Sequence, residues 1–363
     1  MNITPIDTSQ FLALAETFPV LDVRSPGEYN HAHIPGAYSF PIFSDEERKI
    51  IGTTYKQKSR ELAVKIGLDF FGTTLRQKIE AAEVIIAQHN AARETTHKTV
   101  LVHCWRGGMR SAAIAWLLDL YGFKVYTLTG GYKKYRRYVL DSFSIPFSLH
   151  ILGGYTGSGK TAILKKLASE GAAVVDLEGM ASHKGSAFGH IGLPNQPGQE
   201  MFENLLATRL REILKNGKND RGIWLEDESQ RIGLVNIPNA FWEQMRQSPV
   251  YFIDIPFAER LAQIVQEYGQ LPVEKMIAAI TRISKKLGHL NAKTSISLLK
   301  TGKIAESFEI LLKYYDKHYF KSLHNRNDIH TLLKTIQCKS VSIENANQLI
   351  RISQLREQET NSP

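Results

Sequence analysis

Residues 149–161 have the sequence LHILGGYTGSGKT, in which a short apolar stretch leads into glycines, a lysine and a threonine. The stretch fits the spacing G-x-x-x-x-G-K-[ST] of a phosphate-binding loop between a strand and a helix. Backbone N–H groups of such a loop wrap a diphosphate, and Lys160 reaches its outer oxygens. The glycines that permit this path are Gly154, Gly157 and Gly159. The stretch predicts an α/β fold with a diphosphate site, whose ligand is either a mononucleotide or another diphosphate ester.

An acidic side chain is expected beside this loop, because phosphoryl chemistry needs a group that positions metal and water. The candidates that follow predicted strands are Asp176, Glu226, Asp227 and Glu228. We favour Asp227, which together with the Thr161 hydroxyl would hold a Mg²⁺ ion against the diphosphate. The predicted metal ligands are therefore Thr161 and Asp227, and no tightly bound cofactor is expected.

A second loop between a strand and a helix carries a cysteine. In residues 99–111, TVLVHCWRGGMRS, Cys104 follows a β-branched strand and precedes a predicted helix at 111–120. The N–H groups of the loop and the helix dipole favour an anion at its centre and lower the pKa of a thiol there. Arg110 can close the loop and neutralise an oxyanion. We predict Cys104, Arg110 and Arg106 as catalytic residues.

Strands and helices alternate through most of the chain, which predicts parallel sheets covered by helices. One short predicted strand opens the segment that begins at residue 18, and further strands are predicted at 99–103, 124–128, 149–152, 173–177, 222–225 and 250–255. Helices are predicted at 72–88, 111–120 and 161–170. A polar turn is expected at Pro26-Gly27. The predicted organisation is a domain at 1–140, a linker at 141–148, a phosphate-loop domain at 149–260 and a mostly helical, basic region at 261–363.

Composition excludes several classes of protein. The 363 residues are 43% hydrophobic and 22% charged, which is typical of globular chains and too apolar for disorder. No apolar run approaches the roughly 18 residues of a membrane span, and the N-terminal stretch lacks the basic region of a signal peptide. The two cysteines, Cys104 and Cys338, fit neither a disulfide framework nor a zinc site. We therefore expect a cytoplasmic protein without membrane partners.

The net charge of +9 and the pI near 9.3 favour a polyanionic or phosphorylated ligand. One basic segment with interleaved aromatic residues is YKKYRRY at 132–138, and its candidate RNA contacts are Lys133, Lys134, Arg136 and Arg137. A second basic segment lies at 282–334. Aromatic residues among these cations suit RNA, although a solvated helix whose aromatic side chains face the core explains the second segment equally well.

The N-terminal half resembles the rhodanese family. The segment DVRSPGEY at 22–29, followed by HIPGA at 33–37, is similar to the family's N-terminal signature, and Cys104 falls where its persulfide-forming cysteine belongs. The stretch from Cys104 to Arg110 is one residue longer than in the usual sulfurtransferase loop. This length is similar to that of the related dual-specificity and arsenate-processing phosphatases, whose ring accommodates a larger oxyanion.

The whole chain resembles the bacterial tRNA 2-selenouridine synthases, in which a rhodanese domain precedes a P-loop domain. Besides the two loops, the strings that carry this resemblance are DLEG at 176–179, HKGSAFG at 183–189, WLEDES at 224–229 and IG at 232–233. The resemblance implies an enzyme that converts 2-thiouridine at the tRNA wobble position into 2-selenouridine. It implies geranyl diphosphate and selenophosphate as co-substrates, an S-geranyl intermediate, a diphosphate on the P-loop and selenium at Cys104.

Two other interpretations remain open from the sequence. A Cys-dependent phosphatase or sulfurtransferase fused to a small-molecule kinase would use the same two loops. A nucleotide-gated binding protein would use the rhodanese domain as a sensor. RNA retained on purification would favour the tRNA-modifying enzyme over both. Turnover of a phosphomonoester without RNA would favour the phosphatase, and nucleotide-dependent partner binding by Cys104→Ser would favour the sensor.

Overall fold

The computed structural model describes residues 2–186, 188–219 and 222–351. The chain divides into two compact units, Met1–Ser142 and Phe143–Pro363. Ala187 of the string HKGSAFG and residues 352–363 of the predicted C-terminal region lie outside the described residues. Within the described ranges, no helix is both long and apolar enough to cross a bilayer.

The first unit is a parallel five-stranded sheet flanked by helices. Its strands are β1 (Ile3–Ile6), β2 (Val20–Asp22), β3 (Tyr38–Ser39), β4 (Thr99–His103) and β5 (Lys124–Leu128). Their order in the sheet is β1-β5-β4-β2-β3. The helices are α1 (Thr8–Leu14), α2 (Pro26–His31), α3 (Asp45–Gln57), α4 (Arg60–Gly72), α5 (Leu75–Ala91), α6 (Met109–Leu120) and α7 (Gly131–Ser142). Because the strands are parallel, the loops after β2, β4 and β5 leave from the same edge.

Burial on both faces explains the apolar run of β4. Val100 and Val102 share a core with Ile114 and Leu118 of α6, and all four side chains are fully buried. Pro26-Gly27 differs from the expected turn, since Pro26 begins α2. Ser25 and Glu28 form a capping box there, and proline's fixed φ suits the first helical position.

The second unit contains another parallel five-stranded sheet and a small hairpin. Its strands are β6 (Leu149–Gly154), β7 (Ala173–Val175), β8 (Ile223–Glu226), β9 (Arg231–Ile232), β10 (Val235–Asn236), β11 (Val250–Asp254) and β12 (Leu333–Gln337). The sheet order is β12-β11-β6-β8-β7, and β9 pairs with β10 in antiparallel fashion. The helices are α8 (Lys160–Ser169), α9 (Leu177–Ala181), α10 (Gln199–Lys215), α11 (Asn239–Gln247), α12 (Phe257–Tyr268), α13 (Val273–Leu287), α14 (His289–Lys300), α15 (Ile304–His324) and α16 (Ile329–Leu332).

Helices α12 to α15 form a second core, which includes Ile264, Ile280, Leu299 and Phe308. The chain then returns to the sheet, where β12 pairs in parallel with β11. This strand was not anticipated in a region expected to be mostly helical. Ile336 buries its side chain in the core of the sheet, and the long-range pairing outweighs the weak local pattern.

The α/β fold class is confirmed. The predicted strands at 99–103 and 124–128 coincide with β4 and β5, and the helix expected at 72–88 is α5, three residues further along. The strand expected at 173–177 ends at Val175, because the Asp176 side chain accepts a hydrogen bond from the Gly179 N–H at 2.7 Å and caps α9.

Candidate active sites

Cys104 lies directly after β4, in the loop that leads into α6. Its side chain is buried, and its sulfur is 3.3 Å from the hydroxyl oxygen of Ser111. Burial opposes ionisation of the thiol. Hydrogen bonds from Ser111 and from the Arg106 backbone, together with the charge of Arg110, overcome that effect and lower the pKa of Cys104. The loop therefore favours a thiolate, as its sequence predicts.

Arg110 is held beside the loop by Glu28 of α2. Its guanidinium donates to a Glu28 carboxylate oxygen at 2.7 Å, and the Arg48 Nε atom lies 3.7 Å from the same oxygen. Burial tends to raise the pKa of Glu28, but the hydrogen bond and charge of Arg110 lower it, so Glu28 stays ionised. The backbone N–H of Arg106 donates to the Cys104 sulfur, and Arg106 itself is exposed to solvent. Glu28 and Arg48 were not predicted as site residues, although Glu28 belongs to the string DVRSPGEY.

A buried ion pair lies beside the end of β4. Arg24 donates to both carboxylate oxygens of Asp22, at 2.9 Å and 3.0 Å from Nε, and to the Ala32 carbonyl at 2.8 Å. Its guanidinium also lies 3.8 Å from the centroid of the Tyr132 ring. Both members of the pair are almost completely buried. The sequence signature at 22–29 thus supplies a rigid support for the cysteine loop.

The start of α7 packs tightly against the cysteine loop. The Tyr132 N–H donates to the Cys104 carbonyl at 2.8 Å. Gly131 has φ +59°, and a Cβ atom there would lie 2.4 Å from both the Cys104 oxygen and the Gly107 nitrogen. Only glycine fits this contact. Among the candidate RNA contacts of α7, Lys133, Lys134 and Arg137 are exposed, Arg136 is half-buried and Arg137 pairs with Asp141.

The phosphate loop joins β6 to α8, as its spacing predicts. Lys160 begins α8 and donates from Nζ to the Gly154 carbonyl at 2.9 Å. Gly157 has φ +84°, and a Cβ atom there would lie 2.8 Å from the Arg260 carbonyl oxygen. The buried Arg260 donates to the Thr156 carbonyl at 3.1 Å and pairs with Asp316 at 2.8 Å. Arg260 thus fixes the loop from α12, a role that no local sequence signal indicates.

The acidic groups beside Thr161 differ from the one favoured on sequence. The Thr161 hydroxyl donates to Glu178 at 3.2 Å, and Glu178 is hydrogen-bonded to Glu228. Burial raises the pKa of both glutamates, and the negative charge of Glu178 raises that of Glu228 further. Burial and the charges of Asp176 and Glu178 raise the pKa of the neighbouring Glu226 to about 8. Glu178 lies within the string DLEG but was not predicted as a site residue.

Asp227 is bonded to other protein groups. One of its carboxylate oxygens accepts from the Tyr319 hydroxyl at 2.6 Å, and the other accepts from the Arg326 guanidinium. The oxygens available beside Thr161 are therefore those of Glu178 and Glu228. In the described ranges, no group of three or more His, Cys, Asp or Glu side chains has a geometry that could hold a metal. Because the Asp227 carboxylate is already bonded to Tyr319 and Arg326, Thr161 and Asp227 together do not fit as ligands of a Mg²⁺ ion. A Mg²⁺ ion at the phosphate loop stays a prediction.

The phosphate loop opens into a cavity of about 640 Å³. Loop residues 156–161 line one part of it, together with Glu178, Lys184, Asp227 and Glu228. The rest of the lining mixes polar residues, among them Gln263, Glu267 and His318, with the apolar side chains of Phe188, Ile264, Tyr268, Phe308, Leu311 and Leu312. The cavity therefore combines an anion-binding loop with a set of hydrophobic side chains.

The basic segment at 282–334 has aromatic side chains that face inward as well as outward. Tyr315 and Tyr319 line the cavity, whereas Phe320 is exposed. Arg326 is buried against Asp227, and Lys313 pairs with Glu309 at 2.6 Å. Part of this segment therefore builds the phosphate site.

The two units define a class of enzyme in which a domain with an activated cysteine precedes a P-loop domain. Residues 7–138 match the rhodanese-like domain family, and residues 147–342 match the family described as the tRNA 2-selenouridine synthase AAA domain. A tRNA 2-selenouridine synthase of Nitrosomonas europaea is 38% identical over 268 residues, which cover 72% of this chain and 66% of that relative. One from Bdellovibrio bacteriovorus is 33% identical over 357 residues, which cover 86% of this chain and 90% of the relative.

The match therefore spans about two thirds of the first relative and most of the second. The chain belongs to the tRNA 2-selenouridine synthase family, as the resemblance of its sequence motifs predicts.

Proposed function

We propose that this enzyme replaces the 2-sulfur of wobble 2-thiouridine in tRNA by selenium, in two steps that use geranyl diphosphate and then selenophosphate. The observation that carries the proposal is the cavity that a phosphate loop and a set of apolar side chains line together. A prenyl diphosphate has this combination of a doubly phosphorylated head and a hydrocarbon tail. Each buried tail carbon contributes about 0.8 kcal/mol to binding.

In the first step, the sulfur of 2-thiouridine attacks C1 of geranyl diphosphate. A C–S bond forms, the C–O bond to diphosphate breaks, and the N3 proton of the base passes to solvent. Lys160 and the backbone N–H groups of the loop stabilise the charge that builds up on the departing diphosphate. The apolar side chains of the cavity, which include Phe308 and Leu312, hold the geranyl chain and keep water from the allylic carbon.

In the second step, the selenium of selenophosphate attacks C2 of the S-geranylated base. Geranyl thiol leaves with a proton, and water releases the phosphoryl group as phosphate. Alkylation prepares this exchange, because it turns a poorly departing sulfur into a thiol and makes C2 more electrophilic. The backbone N–H groups of the Cys104 loop bind the selenophosphate oxyanion and Arg110 neutralises its charge, while the Cys104 side chain contacts the selenium and orients it toward C2 without forming a bond to it.

The proposal is tested by mass spectrometry of nucleosides from 2-thiouridine tRNA incubated with the enzyme. Geranyl diphosphate alone should give the S-geranyl nucleoside, and later addition of selenophosphate should convert it to 2-selenouridine. ATP in place of geranyl diphosphate should give neither. Phosphomonoester turnover without RNA, in the absence of either nucleoside, would instead support the phosphatase and kinase interpretation.

A further inference from the structure

Trp105, the residue after the nucleophile Cys104, exposes an unusually large aromatic side chain. Its exposed fraction is 36%, although the adjoining thiol is buried. The backbone N–H groups of the loop suit an anion, and this task does not require an indole. Its position directly after the thiol makes the exposed indole available to a ligand that binds at the loop.

The indole of Trp105 packs against a row of fixed, buried groups. Its ring centroid lies 5.8 Å from that of Tyr132, with an interplanar angle of 37°. Tyr132 is fully buried and lies on the Arg24 guanidinium, which is itself fixed by Asp22. The indole is therefore preorganised, and little conformational entropy is lost when a flat ligand packs on its outer side.

Two lysines lie on the backbone segment that is bonded to Trp105. The Lys133 N–H donates to the Trp105 carbonyl oxygen at 2.9 Å, so the start of α7 is fixed beside this residue. Lys133 and Lys134 are both exposed. An exposed aromatic ring with lysines on the adjoining segment suits an unstacked nucleotide, whose base packs on the ring while its phosphates meet the cations.

We propose that Trp105 is the platform on which the wobble base of tRNA stacks when its C2 atom is presented at the Cys104 loop. The inference rests on the proposed function and extends it by naming the residue that contacts the base. Stacking uses the π-face of the base, so 2-thiouridine and its S-geranyl derivative should both bind there.

The test uses the full chain and fluorescently labelled anticodon stem-loop RNAs that carry either 2-thiouridine or S-geranyl-2-thiouridine at the wobble position. Trp105→Ala should weaken the binding of both RNAs by about 5- to 150-fold, the range expected for loss of one base–aromatic stack. Trp105→Phe, which keeps a π-face, should recover most of the affinity. Trp116→Ala is the matched control, because Trp116 of α6 is also exposed (45%) and should leave binding unchanged.

The iodoacetamide reaction rate of Cys104 in each variant reports whether the loop is intact. Unchanged RNA affinity in Trp105→Ala with an intact loop would overturn the inference. A loss confined to the S-geranyl RNA would also overturn it, because the indole would then contact the tail. Failure of the wild-type enzyme to convert S-geranyl RNA into 2-selenouridine would reject the proposed function separately, whatever the affinities of the Trp105 variants.

Discussion

The hydroxyl oxygen of Ser111 lies 3.3 Å from the sulfur of Cys104, in the first turn of α6. The same hydroxyl also lies 3.0 Å from the Gly108 carbonyl oxygen, and its single proton is donated to the sulfur instead when Cys104 is a thiolate. Ser111 follows Arg110 in the chain and contributes to the lowered pKa of the thiol. The reactivity of the cysteine is therefore set by the turn between strand and helix.

Ser111→Ala should raise the pKa of Cys104, because it removes a hydrogen bond that favours the thiolate. The pH midpoint of Cys104 alkylation by iodoacetamide should move upward, and the rate at pH 7 should fall about threefold or more. Site-resolved mass spectrometry separates Cys104 from Cys338. Ser142→Ala, at the end of α7, is the control; an unmoved midpoint in Ser111→Ala would contradict the assigned role.

Cys104→Ser should abolish incorporation of selenium and leave tRNA binding and S-geranylation intact, because the proposed mechanism uses the thiol only in the second step. Nucleoside analysis after incubation with both co-substrates should show the S-geranyl product without 2-selenouridine. Cys338→Ser provides the control, since burial raises the pKa of Cys338 and keeps it protonated. Selenation by the Cys104 variant would refute this role.

Lys160→Ala should lower the rate of S-geranylation by at least about 100-fold, because it removes the ammonium that stabilises the leaving diphosphate. Conversion of RNA that already carries the S-geranyl group should be unaffected. Lys166→Ala changes a partly exposed lysine of the same helix, one that pairs with Glu170, and should retain both activities. An undiminished yield of the S-geranyl nucleoside with Lys160→Ala would show that the loop serves another ligand.

Asp22→Asn should destabilise the first unit by about 3–5 kcal/mol, because it leaves the Arg24 guanidinium buried without its partner. Burial raises the pKa of Asp22, but His103 and Arg24 lower it more, to below its usual 3.8. The contribution of Asp22 is therefore complete above pH 3.8 and is lost as the pH falls through the folded-state pKa.

Thermal unfolding from pH 3 to pH 8 checks this prediction. The difference between wild type and Asp22→Asn should be constant near neutral pH and shrink in acid. Glu80→Gln, which breaks the exposed pair with Arg76, should cost less than about 1 kcal/mol. An equally small effect of Asp22→Asn would show that the buried pair does not support the loop.

The sequence was most informative where an apolar strand leads directly into a loop whose residue spacing is typical of one kind of site. The run VLVH before Cys104 and the glycine–lysine spacing before Thr161 each predict a strand, a turn and a helix start, because the signals for all three lie within a few consecutive residues. The dipeptide Pro26-Gly27 was misleading, because it is compatible both with a turn and with the first turn of a helix. Glu28, which forms a capping box with Ser25, decides in favour of the helix.

Partners distant in the chain could not be predicted from local patterns. Asp227 is bonded to Tyr319 and Arg326, which lie 92 and 99 residues further along, so the acidic groups left beside Thr161 are Glu178 and Glu228. Arg260 reaches the phosphate loop across 104 residues. The apolar side chains of the cavity likewise come from helices whose hydrophobic residues indicate a core without showing which of them face a ligand.

The late strand β12 has a consequence for synthesis on the ribosome. It pairs with β11 at the edge of the P-loop sheet, so that sheet lacks an outer strand until residue 337 has emerged. The first unit draws all five strands of its sheet from residues before 129 and can mature co-translationally while the other is still being made. The thiol loop is thus formed early, and the diphosphate compartment is among the last parts of the described chain to be completed.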